Sequence, residues 1–507
     1  MARRRRTDTA RLKGGEQAPT RTAHGERSAR LIMGVPARIM MPRLVFLVTA
    51  LALLAFGLLM VYSSSSITAL SSAALGNDPT YYLKRQALFA GLGILGAAAI
   101  VAFGYHRLLG RLMRPLWGVT ILLLAFVLLP FAGRDAYGAT RWISLGPFSL
   151  QPSEFAKITV ILVAVRLFDR FYVARDIDQR TFLRGVALGI AVPLVLIICQ
   201  PDKGTVMVIA LSLVVMAYIA GFPVRYLLLF LAVGIVVFLA LSLKDDYSRA
   251  RLMAMLDPWS DPYNNGYQLI QGFYAFGAGG LFGVGIGMSK QKYNYLPFAH
   301  NDFIFAVIGE ECGVVGTVGM LAGFAVLLWA GYRIAINAPD LAGRLVAMGC
   351  SSILVIQMLL NVCGVIGIFP LSGKPIPFVS YGGSSIMSSI MIVGLVFSVS
   401  KESRMPLSEY DERRSAWSVT AAQGTPLGPT EGAGAPMPRS GRPVGRTGFR
   451  MYGGGEVASR VRPTKPANVC LGNARAPRID LGPDAGDRLR GDDSKPHVRG
   501  TRGGKGS

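Results

Sequence analysis

The stretch Tyr293-Asn-Tyr-Leu-Pro-Phe-Ala-His-Asn-Asp-Phe-Ile-Phe-Ala-Val-Ile-Gly-Glu-Glu311 decides how the chain is read. Its first half is polar and aromatic. Its second half opens a long apolar run with the character of a membrane helix. Asp302 stands at the junction, beside His300 and Asn301. A carboxylate where water meets hydrocarbon is costly to misplace, which invites a functional reading. Asn and Asp are also favoured at helix N-termini, so Asn301-Asp302 reads equally well as a helix cap.

The same apolar character recurs along the chain. Ten segments stand at about 43–62, 87–104, 115–132, 155–172, 184–200, 205–220, 224–243, 303–331, 345–366 and 384–400. A membrane helix needs roughly 20 such residues. With 51% hydrophobic residues and a mean hydropathy of +0.42, the chain reads as an all-α polytopic membrane protein. It is expected to have about ten transmembrane helices, with a long outer loop, about 244–302, between the seventh and eighth. The positive-inside rule tests this count. With a cytoplasmic N-terminus, the even connections must be cytoplasmic too. They carry Arg107, Arg111 and Arg114, then Arg170, Arg175, Arg180 and Arg184, then Arg225, then Arg333 and Arg344. An even number of helices puts both termini in the cytoplasm.

The net charge of +24 raises the question of nucleic acid. Roughly two-thirds of the excess lies in two tails, where charge runs are usually solvated arms. No nucleic-acid motif occurs there, and no nucleic-acid partner is expected. Residues 1–42 form a basic arm before an uncleaved first helix. Residues 43–400 form the membrane domain. Residues 401–507, rich in Gly, Pro and Arg, have too few large apolar side chains to bury a core and are expected to be disordered. The five cysteines, Cys199, Cys312, Cys350, Cys363 and Cys470, form no CxxC pair. That argues against a disulfide framework or zinc site.

The informative polar residues cluster in the outer links. Arg141-Trp142 suits the headgroup level, where Trp anchors and Arg grips phosphate. Pro152 fits an early helical position, so the fourth helix is expected to start near Ser153. Glu154 and Lys157 then share a helical face. They read as a packing ion pair or as a cation held for an anionic headgroup. Gln200-Pro-Asp-Lys-Gly-Thr205 reads as a tight turn, with Asp202 capping the sixth helix. The glycine run Gly277–Gly287 permits close backbone approach but is no dinucleotide fingerprint. Lys290 and Lys292 follow it. Phe369–Ser385 holds three prolines and Lys374 and reads as an irregular, re-entrant segment, tolerated at membrane depth only where protein or a polar cavity covers it.

Together these motifs resemble the SEDS family (FtsW, RodA, SpoVE). The matching stretches are YYLKRQ at 81–86, RWISLGPFSLQPSEFAK at 141–157, QPDKGT at 200–205, the DPW, DP and GYQ elements of the long loop, QKYNYLPFAHNDFIFAVIGEE at 291–311 and PFVSYGGSS at 377–385. They fall in family order over about 81–400, and the wording is closer to the FtsW branch than to RodA. Three positions depart from the family's usual residues: Lys203, Phe298 and Asn301.

The resemblance implies a peptidoglycan glycosyltransferase of the bacterial cytoplasmic membrane, acting at the division septum. Its expected substrate is lipid II, the undecaprenyl-pyrophosphate-linked disaccharide peptide. Its expected partners are a class B penicillin-binding protein transpeptidase and other divisome proteins. Asp302 matches the family's catalytic aspartate. As a general base it would take a proton from the attacking sugar hydroxyl, while cations stabilise the leaving pyrophosphate. One base and direct displacement would invert the anomeric centre. Arg141, Lys157 and Lys374 are the expected pyrophosphate ligands, with Lys292 a further candidate and Glu154 orienting Lys157. Trp142, His300, Ser380 and Tyr381 complete the expected substrate-binding set, His300 by hydrogen-bonding Asp302. A divalent cation, Mg or Mn, could bridge the pyrophosphate, although the sequence holds no dedicated cage. Two other classes fit parts of the pattern: a lipid II flippase or transporter, and a non-catalytic division scaffold.

Overall fold

The computed structural model describes residues 31–32, 35–129, 133–136, 139–145 and 148–403. The basic arm before Leu31 and the tail after Ser403, with the expectation of disorder there, lie outside the described residues.

A two-residue pair, β1 (Leu31–Ile32) and β2 (Val35–Pro36), precedes α1 (Ala37–Leu70). Then come α2 (Tyr81–Phe103), the single turn α3 (Tyr105–Leu109) and α4 (Met113–Val127). A small antiparallel sheet follows, β3 (Gly133–Ala136), β4 (Ala139–Leu145) and β5 (Phe148–Leu150), with Ile143 opposite Leu150. Next are α5 (Pro152–Phe168), α6 (Gln179–Val186), α7 (Val192–Cys199), α8 (Lys203–Ile219) and α9 (Val224–Lys244). The chain continues through α10 (Asp246–Leu256), α11 (Tyr267–Gly279), α12 (Ile304–Ile336), α13 (Leu341–Val365) and α14 (Gly383–Glu402).

Each of the ten apolar segments falls on a helix, α6 and α7 together making the fifth through a π-turn at Ala187–Ala191. Among the described residues, seven helices are long and apolar enough to cross a membrane. The other three, α4, α5 and α8, have 15, 17 and 17 residues. The first helix begins at Ala37, inside the stretch read as a basic arm, and carries Pro42 within it. The stretch 244–302 is not an open loop, since α10 and α11 lie within it.

Burial ranks the helices. In their apolar windows, 83% of α13 and 78% of α14 is buried, against 6% of α9. The core therefore lies around α13 and α14, while α9 presents nearly all of its apolar surface outward, as a helix facing lipid does.

The two ends of the bundle are held differently. At one end, Tyr105 Oη and the His106 ring reach Asp340, His106 also meets Glu402 at 3.1 Å, and Arg43 Nε donates to Ser400. At the other end, the α4–α5, α7–α8, α9–α12 and α13–α14 links come together. Lys374 reaches Asp202 there, Arg251 donates to the Leu371 carbonyl, and the Tyr381 amide donates to the His300 carbonyl.

The glycine-rich run finds its purpose in α12. This helix breaks at Gly313, whose φ is +65°, a conformation that glycine adopts readily. The break frees four backbone groups. Glu310 and Glu311 carbonyls accept instead from the amides of Val284 and Gly285, at 2.9 and 3.0 Å. Val314 and Val315 amides donate to Gly280 and Leu281 carbonyls, at 3.0 and 3.1 Å. The glycine run thus replaces the missing turn of helix, and the backbone stays satisfied in an apolar setting.

Candidate functional site

Asp302 does not cap α12. The helix starts at Ile304 with Phe303 in the cap position and no side-chain cap bond. The carboxylate of Asp302 accepts no hydrogen bond among the described residues; its backbone carbonyl accepts from Asn361 Nδ2 at 2.9 Å. The same Asn361 amide donates to the Lys374 carbonyl at 2.8 Å. One α13 side chain therefore ties the Asp302 loop to the α13–α14 link.

The Asp302 side chain opens onto a cavity of about 380 Å³. Arg85, Arg141, Arg251 and Lys374 line its wall, and Asp302 is the one carboxylate among the described residues that line it. Burial raises the pKa of Asp302 above the ordinary carboxylate value, against the opposing pull of Arg251, Lys374 and Arg141. An ionised, hydrogen-bond-free carboxylate facing a cation-lined cavity can accept a proton from a ligand and leaves the cations to hold an anion.

Three of these cations are aimed by separate elements. Arg141, on β4, donates Nε to the Gln200 carbonyl at 3.0 Å and Nη2 to the Pro201 carbonyl at 2.5 Å. Arg251, on α10, donates Nη1 to the Leu371 carbonyl at 2.8 Å, and its guanidinium lies 4.4 Å from the Tyr247 ring centroid. Lys374 donates to Asp202 Oδ2 at 2.8 Å and sits 3.7 Å from Glu154 Oε1.

Asp202 does cap α8, accepting from the Thr205 amide at 3.2 Å. It also accepts from Gln151, Ser153 and the Thr205 hydroxyl. Burial opposes its ionised form, but Lys374, Arg141 and these donors hold its pKa well below the usual range. The tight turn is thus a charged hub as well as a cap.

The expected site residues separate into two groups. Asp302, Arg141, Trp142, Lys374 and Tyr381 line the cavity. Glu154, Lys157, Lys292, His300 and Ser380 are not on its wall. Glu154 and Lys157 form the expected pair, 2.8 Å apart and 1% exposed each. Lys157 also donates to Gln357, whose own amide holds the Pro375 carbonyl at 2.7 Å. They lie behind Lys374 and brace it. Lys292 is turned away, to Glu311 Oε1 at 3.2 Å and the Gly287 carbonyl at 2.6 Å. There it balances a buried carboxylate that also accepts from Ser63 on α1. His300 makes no bond to the Asp302 carboxylate. Its ring packs 4.6 Å from Tyr82 and 5.7 Å from Tyr381, and burial lowers its pKa to about 4, so it is neutral at neutral pH. The Ser380 hydroxyl accepts from the Ile376 amide at 2.8 Å and shapes the link.

The departures also have places. Lys203 ties α8 to Asp245 and Ser248 at the start of α10 and to the Leu241 carbonyl on α9. Phe298 lines the cavity in a left-handed conformation, φ +55°, and Asn301 lines it too. Sequence reading passed over the site roles of Arg251, Arg85, Gln357 and Asn361. Arg251 stood in a stretch read as loop, and the two amides sit inside an apolar helix, which is itself a signal of a bonded polar site.

Comparison with known proteins places this geometry in a wider set. Residues 43–405 match the family model of the FtsW, RodA and SpoVE cell cycle proteins. Stage V sporulation protein E of Bacillus subtilis is 40% identical, over 72% of this chain and 98% of that protein. The probable peptidoglycan glycosyltransferase FtsW of Trichlorobacter lovleyi is 38% identical, over 75% of this chain and 99% of that protein. Among solved structures, one described as the structural coordination of polymerization and crosslinking by a peptidoglycan synthase complex gives a TM-score of 0.56 at 30% identity, covering 70% of this chain and 96% of that one. The rod shape determining protein RodA of Thermus thermophilus gives 0.52 at 28% identity, covering 71% and 97%.

Proposed function

The chain belongs to the FtsW, RodA and SpoVE family of cell cycle proteins and is an FtsW-like membrane peptidoglycan glycosyltransferase of cell division, and from this premise we propose that Asp302 is the general base that polymerises lipid II. The observation that carries this reading is the Asp302 carboxylate itself, without a hydrogen bond among the described residues, on the wall of a cavity with Arg85, Arg141, Arg251 and Lys374.

In this mechanism the sugar hydroxyl of one substrate approaches the anomeric carbon of another. Asp302 takes the hydroxyl proton as the new carbon–oxygen bond forms. The bond to pyrophosphate breaks, and the leaving group departs with the bonding pair toward the cations. Arg141 and Arg251 supply forked donors and Lys374 a point charge. Glu154 and Lys157 set the position of Lys374 from behind. For Mg or Mn bridging the pyrophosphate, this wall is a poor cage. Among the described residues it offers one carboxylate beside four cationic side chains, where an all-oxygen site would gather several acidic ligands.

The reaction would take place at the outer face of the cytoplasmic membrane at the septum, with both termini cytoplasmic. A class B penicillin-binding protein would cross-link the product, and the relative described as coordinating polymerization and crosslinking supports such a pairing. The test is lipid II polymerisation by the purified protein with its partner. Asp302→Asn should leave the protein folded and cut glycan formation by at least about 10²-fold; wild-type-like chains from that variant would overturn the assignment. Movement of labelled lipid II between leaflets without polymer would instead support a flippase.

A further inference from the structure

A second cavity, of about 310 Å³, lies between α1, α2 and α14, near the end where Arg43 meets Ser400. It shares no lining residue with the Asp302 cavity, and every described residue that lines it is apolar. Phe378, from the link that carries Lys374, is buried at 2% exposure and forms its floor. Leu51 of α1 and Ile94 of α2 stand 51% exposed at its rim. The cavity therefore opens sideways between two membrane-spanning helices, into the acyl region of a bilayer. With both termini cytoplasmic, as proposed above, this is the inner leaflet.

Size and charge select the occupant. One turn of helix, about 10 Å across and 5.4 Å long, fills roughly 400 Å³, more than the cavity holds, whereas a methylene chain is slender enough to enter. Arg43 stands one turn before the lining residue Leu47 on α1. Its guanidinium lies 5.8 Å from the ring centroid of Phe397, which also lines the cavity. Arg43 donates Nε and Nη2 to Ser400. Among the described residues none accepts from its Nη1, and no carboxylate pairs with it. Lys401 stands one turn beyond Phe397 on α14 and is exposed. The adjacent Glu402 is turned to His106, at 3.1 Å. Two cations at the mouth of an apolar cavity complement a ligand with an anionic head and a hydrocarbon tail.

We infer that this cavity holds one acyl chain of an anionic diacyl phospholipid, whose phosphate is gripped by Arg43 and Lys401. The site is built from groups that take no part in the chemistry at Asp302, and it stands or falls separately from the base assignment.

The experiment uses the full chain in detergent and, as probe, phosphatidylglycerol with a photoreactive diazirine in one acyl chain. Irradiation should place adducts on residues 47–54, 94–101 and 390–397. Unlabelled phosphatidylglycerol should compete at a concentration at least about fivefold lower than phosphatidylcholine of the same chains, the difference expected for one unit of net headgroup charge. The double variant Arg43→Gln, Lys401→Gln should weaken phosphatidylglycerol binding about 30-fold, at roughly fivefold for each cation. Ala98→Phe fills the cavity from its exposed rim and should remove the adducts with both cations intact. Adducts as dense on α9 as on these segments, equal competition by the two lipids, or yields unmoved in both variants, each overturns the inference. So does displacement of the probe by undecaprenyl pyrophosphate while phosphatidylglycerol has no effect, which marks a polyprenyl site, or displacement by the partner protein, which marks a helix-docking site.

Discussion

Asp302 was visible as a polar residue at the mouth of an apolar run, and its neighbours decide what it can do. Its pKa is raised by burial, so the ionised base is lost at higher pH than for an ordinary carboxylate. The rate should fall as pH drops through this raised value, and a pH–rate profile of the purified enzyme should show one acid limb above the usual Asp range. His300, held near 4, should add no inflection near the ordinary histidine value of 6.5. A His300→Gln enzyme should keep the same acid limb. Asp302→Asn should lower kcat about 10²- to 10⁴-fold. The ion pair behind the site makes a different demand. Lys157→Ala leaves Glu154 buried with Lys374 at 3.7 Å as its remaining cation, and removing one partner of a buried pair costs about 3–5 kcal/mol. The double change Glu154→Gln, Lys157→Gln should lose less stability than the two single changes added together. Thermal unfolding of the four proteins in detergent measures that coupling. The sequence spacing foretold the pair itself, since residues three apart share a helical face. It could not say that the pair stands behind Lys374, because depth within a bundle depends on which helices cover it.

Helices built from long apolar runs were legible at the level of elements, because hydropathy and length alone produce them. The broken helix was not. Gly313 lies inside an apolar run that looks continuous, and the break shows only when the run Gly277–Gly287 is seen beside it. Both strands of that contact depend on small residues: a Cβ at Gly279 would sit 1.9 Å from the Gly309 carbonyl oxygen, and one at Gly313 would sit 2.4 Å from the Gly283 amide nitrogen. Gly313→Ala should therefore combine left-handed strain, of order 1–3 kcal/mol, with a backbone overlap. It should lower the unfolding temperature and reduce polymerisation together. Glu310 makes a subtler case. Its carboxylate accepts from the Ser289 hydroxyl and from the Lys290 amide at 2.8 Å, and so holds the turn that leads into the Asp302 loop. Glu310→Ala should lower kcat while the pH–rate profile keeps its shape, because the base is displaced and not retuned. A shifted acid limb in that variant would count against a positioning role. The helices α10 and α11 escape a sequence reading for the opposite reason to Gly313: they are short, polar in part and bounded by Pro and Gly, so they read as loop.

At the level of the whole molecule, charge and chemistry are separated along the chain. The described residues that line the Asp302 cavity run from Arg85 to Ser385, inside the stretch that matches the family model. Much of the +24 charge lies in sequence beyond it. The architecture explains how distant motifs make one site. Helices alternate in direction, so every second link returns to the same end, and β4, the Asp202 turn, α10, the Asp302 loop and the Lys374 link meet there. The sequence carried that convergence through its topology, but the shape of the cavity depends on the packing of Tyr247, Arg251, Gln268 and Phe298, which no spacing encodes. This division of labour discriminates an enzyme from a scaffold. A protein lacking residues 1–30 and 404–507 keeps every group placed at the site. It should polymerise lipid II in vitro within about twofold of the full chain, a change of under roughly 0.5 kcal/mol in transition-state stabilisation. A scaffold that works through its tails would make the opposite pattern, with recruitment of division proteins lost and no polymerisation to preserve. If the trimmed protein binds its partner yet makes no glycan while the full chain does, the tails belong to the catalytic unit, and the site as assembled from these links is incomplete.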